Sequence, residues 1–183
     1  DDTSRLDYSL SRFSDARGCL ALEDVLRAFV VEHIDDPDYE DMRLVFGPPE
    51  HLEWFGNNVP YHVSRRNIDV LAFHQSDEHT SVPMRYKHSV AELKRDRANE
   101  EDVAQVVGYA KWVAGRLANS EVETVEPILI AYSFRPSAIT RAKNSDFNSK
   151  GIRLIQYRVE SDARIGFEQI FPQEASSHRL GEG

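Results

Sequence analysis

The 183-residue chain has a single cysteine, Cys19. No intramolecular disulfide can form and a cysteine-built zinc site is excluded. This usage fits a reducing compartment, and a cytoplasmic location is expected. No apolar run approaches the length of a membrane span, so no membrane partner is expected. The opening "DDTSRLDYSL" is acidic and polar, unlike a secretory leader. Its first residue is Asp, not Met, which leads us to expect a chain trimmed or cut from something longer. There is no G-x-x-x-x-G-K-[ST] loop for a nucleotide phosphate. The seven histidines show no His-x-x-x-His or His-Glu-x-x-His spacing. Ser133 and Ser137 lack a nucleophile-elbow context, which disfavours a serine hydrolase. Internal repeats and low-complexity tracts are absent.

What is present is acid, unevenly spread. Residues 1–60 hold 5 Lys+Arg against 14 Asp+Glu, and residues 61–183 hold 17 of each. The net charge of -9 therefore lies in the first third. Such a chain is a poor prior for a non-specific DNA coat. It remains compatible with an enzyme that grips nucleic acid through a local basic patch and a metal. Length and a hydrophobic content of 40% suit one core. We expect one domain over 1–183, with an acidic N-terminal helical part (1–58), a core (59–172) and a flexible tail (173–183).

Periodicity supplies the elements. Leu22, Val25, Leu26, Phe29 and Val30 predict a helix over 20–34. "DDPDYED" reads as an acidic turn, "MRLVFG" as a short strand, and residues 50–58 as irregular. Strands are expected at 59–63, 67–74 and 85–94, with a polar loop at 75–83. Val103, Val106, Val107, Ala110, Val113, Ala114 and Leu117 form the apolar stripe of a long helix. Asn99 is its expected N-cap, followed by Glu100, Glu101 and Asp102 in the first turn. Strand 126–134, a helix opened by Pro136, strand 151–160 and a further strand "ARIGFEQI" complete the chain. The order implies an α/β protein: a mixed sheet with helices on both faces.

Three charged residues interrupt these strands. Asp69 sits inside "NIDVLAF", and Glu92 and Lys94 share one face of "SVAELK". If the strands are neighbours, two carboxylates and the backbone carbonyl of Leu93 make an oxygen-rich site. That suits a hard cation such as Mg²⁺. Lys94 could orient an attacking water or steady developing charge, so the predicted chemistry is phosphodiester hydrolysis. On the long helix, Gln105, Tyr109, Trp112 and Arg116 recur at helical spacing as a separate polar-aromatic stripe.

An Asp in an apolar strand, then "ELK", then a helix bearing Gln-x-x-x-Tyr, resembles the PD-(D/E)xK nuclease superfamily. "AELKRDRANEEDVAQVVGYAKWVAG", "PILIAYSFRP" and "GIRLIQYRV" are most similar to the nuclease domain of archaeal mismatch-type endonucleases, and more widely to RecB-like nucleases. The resemblance covers about 65–160, and extends more weakly to "LEDVLRAFVVEHI". It implies a restriction-endonuclease-like core and a Mg²⁺- or Mn²⁺-dependent endonuclease acting on DNA more than RNA. It implies Asp69 and Glu92 as metal ligands, Lys94 as the catalytic lysine, and Gln105, with Tyr109 beside it, as the helix glutamine that contacts substrate or orients the site. Glu23 would match the first-helix glutamate that some members add to the metal shell, with Glu32 on the same helix as the other candidate. Arg65, Arg66, Arg95, Arg97, Lys111 and Arg116 would track phosphates, with Arg135, Arg141 and Lys143 beyond them. Ile68 stands where the family motif has Pro. The gap between Asp69 and Glu92 is longer than a tight hairpin needs, and reads as a substrate loop or a lengthened hairpin. A homodimer or a larger complex would fit such folds.

Each feature also has a plainer reading. Glu92 and Lys94 taken alone fit a surface ion pair of small worth. Glu23, Gln105 and Tyr109 fit ordinary helix surface, Trp112 and Cys19 fit packing, and His74, His79 and His88 fit solvated loop residues. The alternative function is a catalytically inactive nuclease-fold module that binds nucleic acid or a partner protein in a repair or defence complex. A third is a structural or assembly protein of such a complex.

Overall fold

A computed structural model describes residues 9–61, 66–76 and 86–172. Arg65, His79 and the tail from 173 lie outside the described residues.

One sheet organises the chain. Its six strands lie in sequence order: β1 (Leu52–Pro60), β2 (Asn67–Gln75), β3 (Tyr86–Ala98), β4 (Val125–Phe134), β5 (Arg153–Ser161) and β6 (Arg164–Phe171). The β1–β2–β3 meander is antiparallel, β3–β4–β5 run parallel, and β6 returns antiparallel on β5. Parallel neighbours need a crossover. Helix α3 (Glu100–Arg116) supplies it between β3 and β4, and α4 (Pro136–Lys143) between β4 and β5. Helices α1 (Glu23–His33) and α2 (Glu40–Phe46) cover the other face. The expected mixed α/β sheet with helices on both sides is what the chain forms.

Alternation along the strands divides the core. Val70, Ala91, Leu93, Ile128 and Ile130 pack with Leu26, Phe29 and Val30 of α1 and with Met42, Val45 and Phe46 of α2. Leu71, Val90 and Leu129 pack against Val103, Val106, Ala110 and Val113 of α3. Glu92 and Lys94 continue the Val90 face and so point to the α3 side.

Two sequence expectations are corrected here. "MRLVFG" is helix α2, not a strand. Met42, Val45 and Phe46 are its buried residues, an i, i+3, i+4 spacing that only a helix brings to one face. Gly47, at φ 88, ends it by returning its N–H to the Arg43 carbonyl, a left-handed turn suited to glycine. The second correction concerns residues 50–58. Most of this segment belongs to β1, an edge strand exposed enough that its sequence carries no apolar alternation.

Helix α3 begins where Asn99 predicts. The Asn99 side chain accepts the Glu101 N–H at 2.7 Å, and Asp102 accepts the Asn99 N–H at 2.8 Å. The reciprocal pair fixes the entry of α3 directly after β3.

Candidate active site

The site forms where the β2–β3 ladder stops. Its last rungs are Leu71↔Val90 and Val70↔Ala91. The next would set Asp69 opposite Glu92. Instead, Asp69 Oδ2 accepts the backbone N–H of Leu93 at 2.8 Å, taking over as acceptor. A strand residue's N–H and C=O point to the same side, so the Leu93 carbonyl also faces this opening. The long Asp69–Glu92 gap is thereby explained. Both strands run on together as far as Gln75↔Tyr86, about 20 Å from the site at the usual rise per residue. The strands on both sides of the gap are lengthened, and residues 77–85 between them lie outside the described residues.

Glu92 is 3% exposed and Asp69 7%. Glu92 Oε1 accepts from Lys94 Nζ at 2.7 Å and from Gln105 Nε2 at 2.6 Å. Gln105 Nε2 also donates to the Tyr109 hydroxyl at 2.8 Å. Glu92 Oε2 is buried and has no hydrogen-bond partner among the described residues. Burial, reinforced by the nearby Asp69 charge, pushes the Glu92 carboxyl up to about 8, against the opposing pull of Lys94. Burial works against the Lys94 ammonium, but the Glu92 carboxylate outweighs it and the net direction is upward. The Tyr109 hydroxyl is raised by burial and by Glu92.

Helix α1 adds Glu23. Burial raises this carboxyl, while the Lys94 charge and the nearby Arg95 backbone N–H favour its charged form. A bulge makes that N–H available: between Lys94 and Arg97, β3 carries one residue more than β4. The peptide at Arg95 is freed from the ladder. Its carbonyl accepts from the Tyr157 hydroxyl at 2.5 Å and from Cys19 Sγ at 3.2 Å. Burial raises the Cys19 thiol, in keeping with an inert packing residue. Glu32 is exposed on α1, and Glu23 is the α1 glutamate that meets the site.

Asp69, Glu92, the Leu93 peptide, Lys94, Gln105, Tyr109 and Glu23 thus come together. Tyr109 is buried at 2% and belongs to the core, with only its hydroxyl turned to Gln105; the expected separate stripe merges with the packed face. Leu117, placed on the apolar stripe, is 52% exposed. Trp112 packs against the core. Arg66, Arg95, Arg97, Lys111 and Arg116 are exposed. The Arg66 charge reaches Tyr109, and Arg95 donates to the Ala21 carbonyl. Arg116 is about 16 Å along α3 from Gln105 at the helical rise, within reach only of an extended ligand. His74 and His88 are buried strand residues, not solvated loop ones. Burial lowers both, His74 to about 3.

Two residues near the site carry no motif signal. Arg27 Nη1 stands 3.4 Å from Asp69 Oδ1. Tyr61, just past β1, packs its ring 4.7 Å from that of Tyr109. Arg27 follows Glu23 by four residues, the one sequence cue that it shares a helix face with a candidate ligand.

Among the described residues no three His, Cys, Asp or Glu side chains form a ready metal cage. The donors nevertheless suit a hard cation. The Asp69 charge acts on the Glu92 carboxyl, Glu92 Oε2 is buried and unpartnered among the described residues, and Mg²⁺ takes only one or two carboxylates while keeping waters.

No family model and no curated protein matches the chain. Among solved structures, it is similar to a repair endonuclease from Pyrococcus abyssi, with 20% identity and a TM-score of 0.44 over 64% of this chain and 42% of that one. EndoMS in its apo form gives 22% identity and a TM-score of 0.35 over 57% of this chain and 41% of that one. An EndoMS–dsDNA complex gives 24% identity and a TM-score of 0.35, covering 57% and 39%. The chain spans less than half the length of each of these proteins.

Proposed function

We propose that the protein is a Mg²⁺- or Mn²⁺-dependent endonuclease that hydrolyses phosphodiester bonds, with DNA as the substrate that the sequence resemblance favours. The observation that carries this reading is the state of Glu92. One of its oxygens is gripped by Lys94 and Gln105, while the other is buried without a partner among the described residues, and the Asp69 charge acts on the same carboxyl. A buried oxygen without a donor calls for a partner, and a bound cation is one that fits.

Asp69, Glu92 and the Leu93 carbonyl would hold the cation, with Glu23 as an outer carboxylate. When bound, the cation would lower the pKa of a water and offset phosphate charge. Lys94 would hold the attacking water at its ammonium and steady charge on the phosphate. Gln105 fixes the Glu92 rotamer, and Tyr109 fixes Gln105. Such outer partners set the orientation of the groups they touch. Arg66, Arg95 and Arg97 would meet the neighbouring phosphates.

A second reading has its own observation. The Arg27 guanidinium beside Asp69 is a permanent positive charge where a nuclease needs a divalent cation, and it favours a module that binds nucleic acid without cutting. Incubating supercoiled plasmid and single-stranded DNA with the protein in Mg²⁺ or Mn²⁺ separates the two. The nuclease reading expects cleavage that Glu92→Ala and Lys94→Ala abolish. Cleavage surviving both substitutions means the site is misplaced. DNA binding with no cleavage in either metal supports the second reading.

A further inference from the structure

Helix α1 brings two side chains to the carboxylates, and Arg27 has no part in the chemistry above. Its Nη1 lies 3.4 Å from Asp69 Oδ1, and its Nη2 bonds the Asp24 carboxylate. These two acids differ sharply: the Asp69 side chain is 10% exposed and that of Asp24 80%. The guanidinium therefore bridges an acid inside the site and an acid at the surface.

Asp69 has a settled side and an open one. Oδ2 is committed to the Leu93 N–H at 2.8 Å. Among the described residues Oδ1 has only the longer contact to Arg27, and it is the oxygen left for a cation. Lys94 is already engaged by Glu92. The ion and Arg27 thus compete for one oxygen. A guanidinium does not deprotonate in proteins, so Arg27 can yield only by moving. The Asp24 carboxylate, one helical turn back and at the surface, gives it a second anchor on the way out.

We infer that Arg27 is a movable counter-cation. In the metal-free protein it neutralises Asp69. When a divalent cation takes Asp69, Arg27 turns outward along Asp24 and pairs with a phosphate of the nucleic acid, for which its planar fork of donors is suited. This inference rests on the metal-dependent reading above. Its consequence is a reciprocal coupling: nucleic acid tightens metal binding and metal tightens nucleic-acid binding. The protein holds its cation weakly until substrate arrives.

The test is Mn²⁺ titration by calorimetry of wild type, Arg27→Ala, Asp24→Asn and Asp69→Asn, with circular dichroism to confirm folding. Binding of a short DNA duplex in EDTA and in Ca²⁺ is measured alongside. Arg27→Ala should bind Mn²⁺ at least about fivefold more tightly, the lower end of ordinary coupling between sites. It should lose duplex affinity in Ca²⁺ but not in EDTA. Asp24→Asn, which removes the outer anchor and leaves Arg27 on Asp69, should bind Mn²⁺ more weakly than wild type; it carries the test if Arg27→Ala does not fold. Mn²⁺ affinity unchanged in Arg27→Ala but abolished in Asp69→Asn overturns the counter-cation and leaves the metal site standing. An equal loss of duplex affinity with and without Ca²⁺ also overturns it, since Arg27 would then be an ordinary phosphate contact. Mn²⁺ binding absent from every protein, wild type included, defeats the metal-dependent reading and this inference with it.

Discussion

Asp69 accepts the backbone N–H of Leu93 at 2.8 Å, across the point where the β2–β3 ladder ends. On the nuclease reading the carboxylate serves both the fold and the cation, and two substitutions separate those duties. Asp69→Ala leaves a buried N–H unpaired and should destabilise the fold by about 1–3 kcal/mol. Asp69→Asn keeps an acceptor for Leu93 while losing the charge. Chemical denaturation should show Asn closer to wild type than Ala, whereas cleavage assays should show both inactive.

The Glu92 carboxyl makes metal-free stability depend on pH. Its folded value of about 8 lies above its ordinary 4.5. Between those limits the native state holds a proton that the unfolded chain has released. Raising the pH through that window therefore lowers stability, and the loss is complete above the folded value. Urea midpoints in EDTA should fall from about pH 5 to about pH 8.5, and Glu92→Gln should flatten that slope. A midpoint slope shared equally by wild type and Glu92→Gln would assign the effect elsewhere.

The same proton should appear in metal binding. A cation needs the carboxylate form of Glu92, so Mn²⁺ uptake near neutral pH should release about one proton. Calorimetry in buffers of different ionisation enthalpy reads this directly. The release should vanish in Glu92→Gln, together with most of the affinity.

Gln105 acts by holding Glu92, and Tyr109 by holding Gln105. Gln105→Ala should cut cleavage about 10- to 100-fold, the usual range for partners of metal ligands. Tyr109→Phe, which removes only the hydroxyl from a packed ring, should cost less. Both changes should act mainly on kcat with KM for DNA little altered, and single-turnover rates would check this. An effect confined to KM would make Gln105 a substrate contact instead.

The parts legible in sequence were those where local signals and tertiary need agree. Asn99 with three acids behind it announces α3, and Glu92 with Lys94 announces a charged strand face. Helix α2 was misread because five apolar or basic residues before a glycine satisfy strand and helix patterns alike; only the buried trio Met42, Val45 and Phe46 decides. All but the end of strand β1 was missed, and the strand expected at 59–63 starts too late, because an edge strand can be held by backbone pairing, whose partners are not written in side-chain alternation. Arg27 and Tyr61 were invisible for a different reason. Their significance lies in what faces them, Asp69 in one case and Tyr109 in the other, and both pairings span distant parts of the chain.

The bulge after Lys94 ties remote segments to the backbone of one residue, Arg95. The N–H of Arg95 steadies Glu23 on α1, while its carbonyl receives Tyr157 from β5 and Cys19 from the stretch ahead of α1. Tyr157 in turn takes the Leu20 N–H at 3.1 Å. The leading segment is therefore fastened to the backbone immediately beside the lysine. Unpinning it, by shortening the chain ahead of α1 or by binding something in its stead, would release Glu23 and Arg27 together and slacken the centre without touching any of its acids.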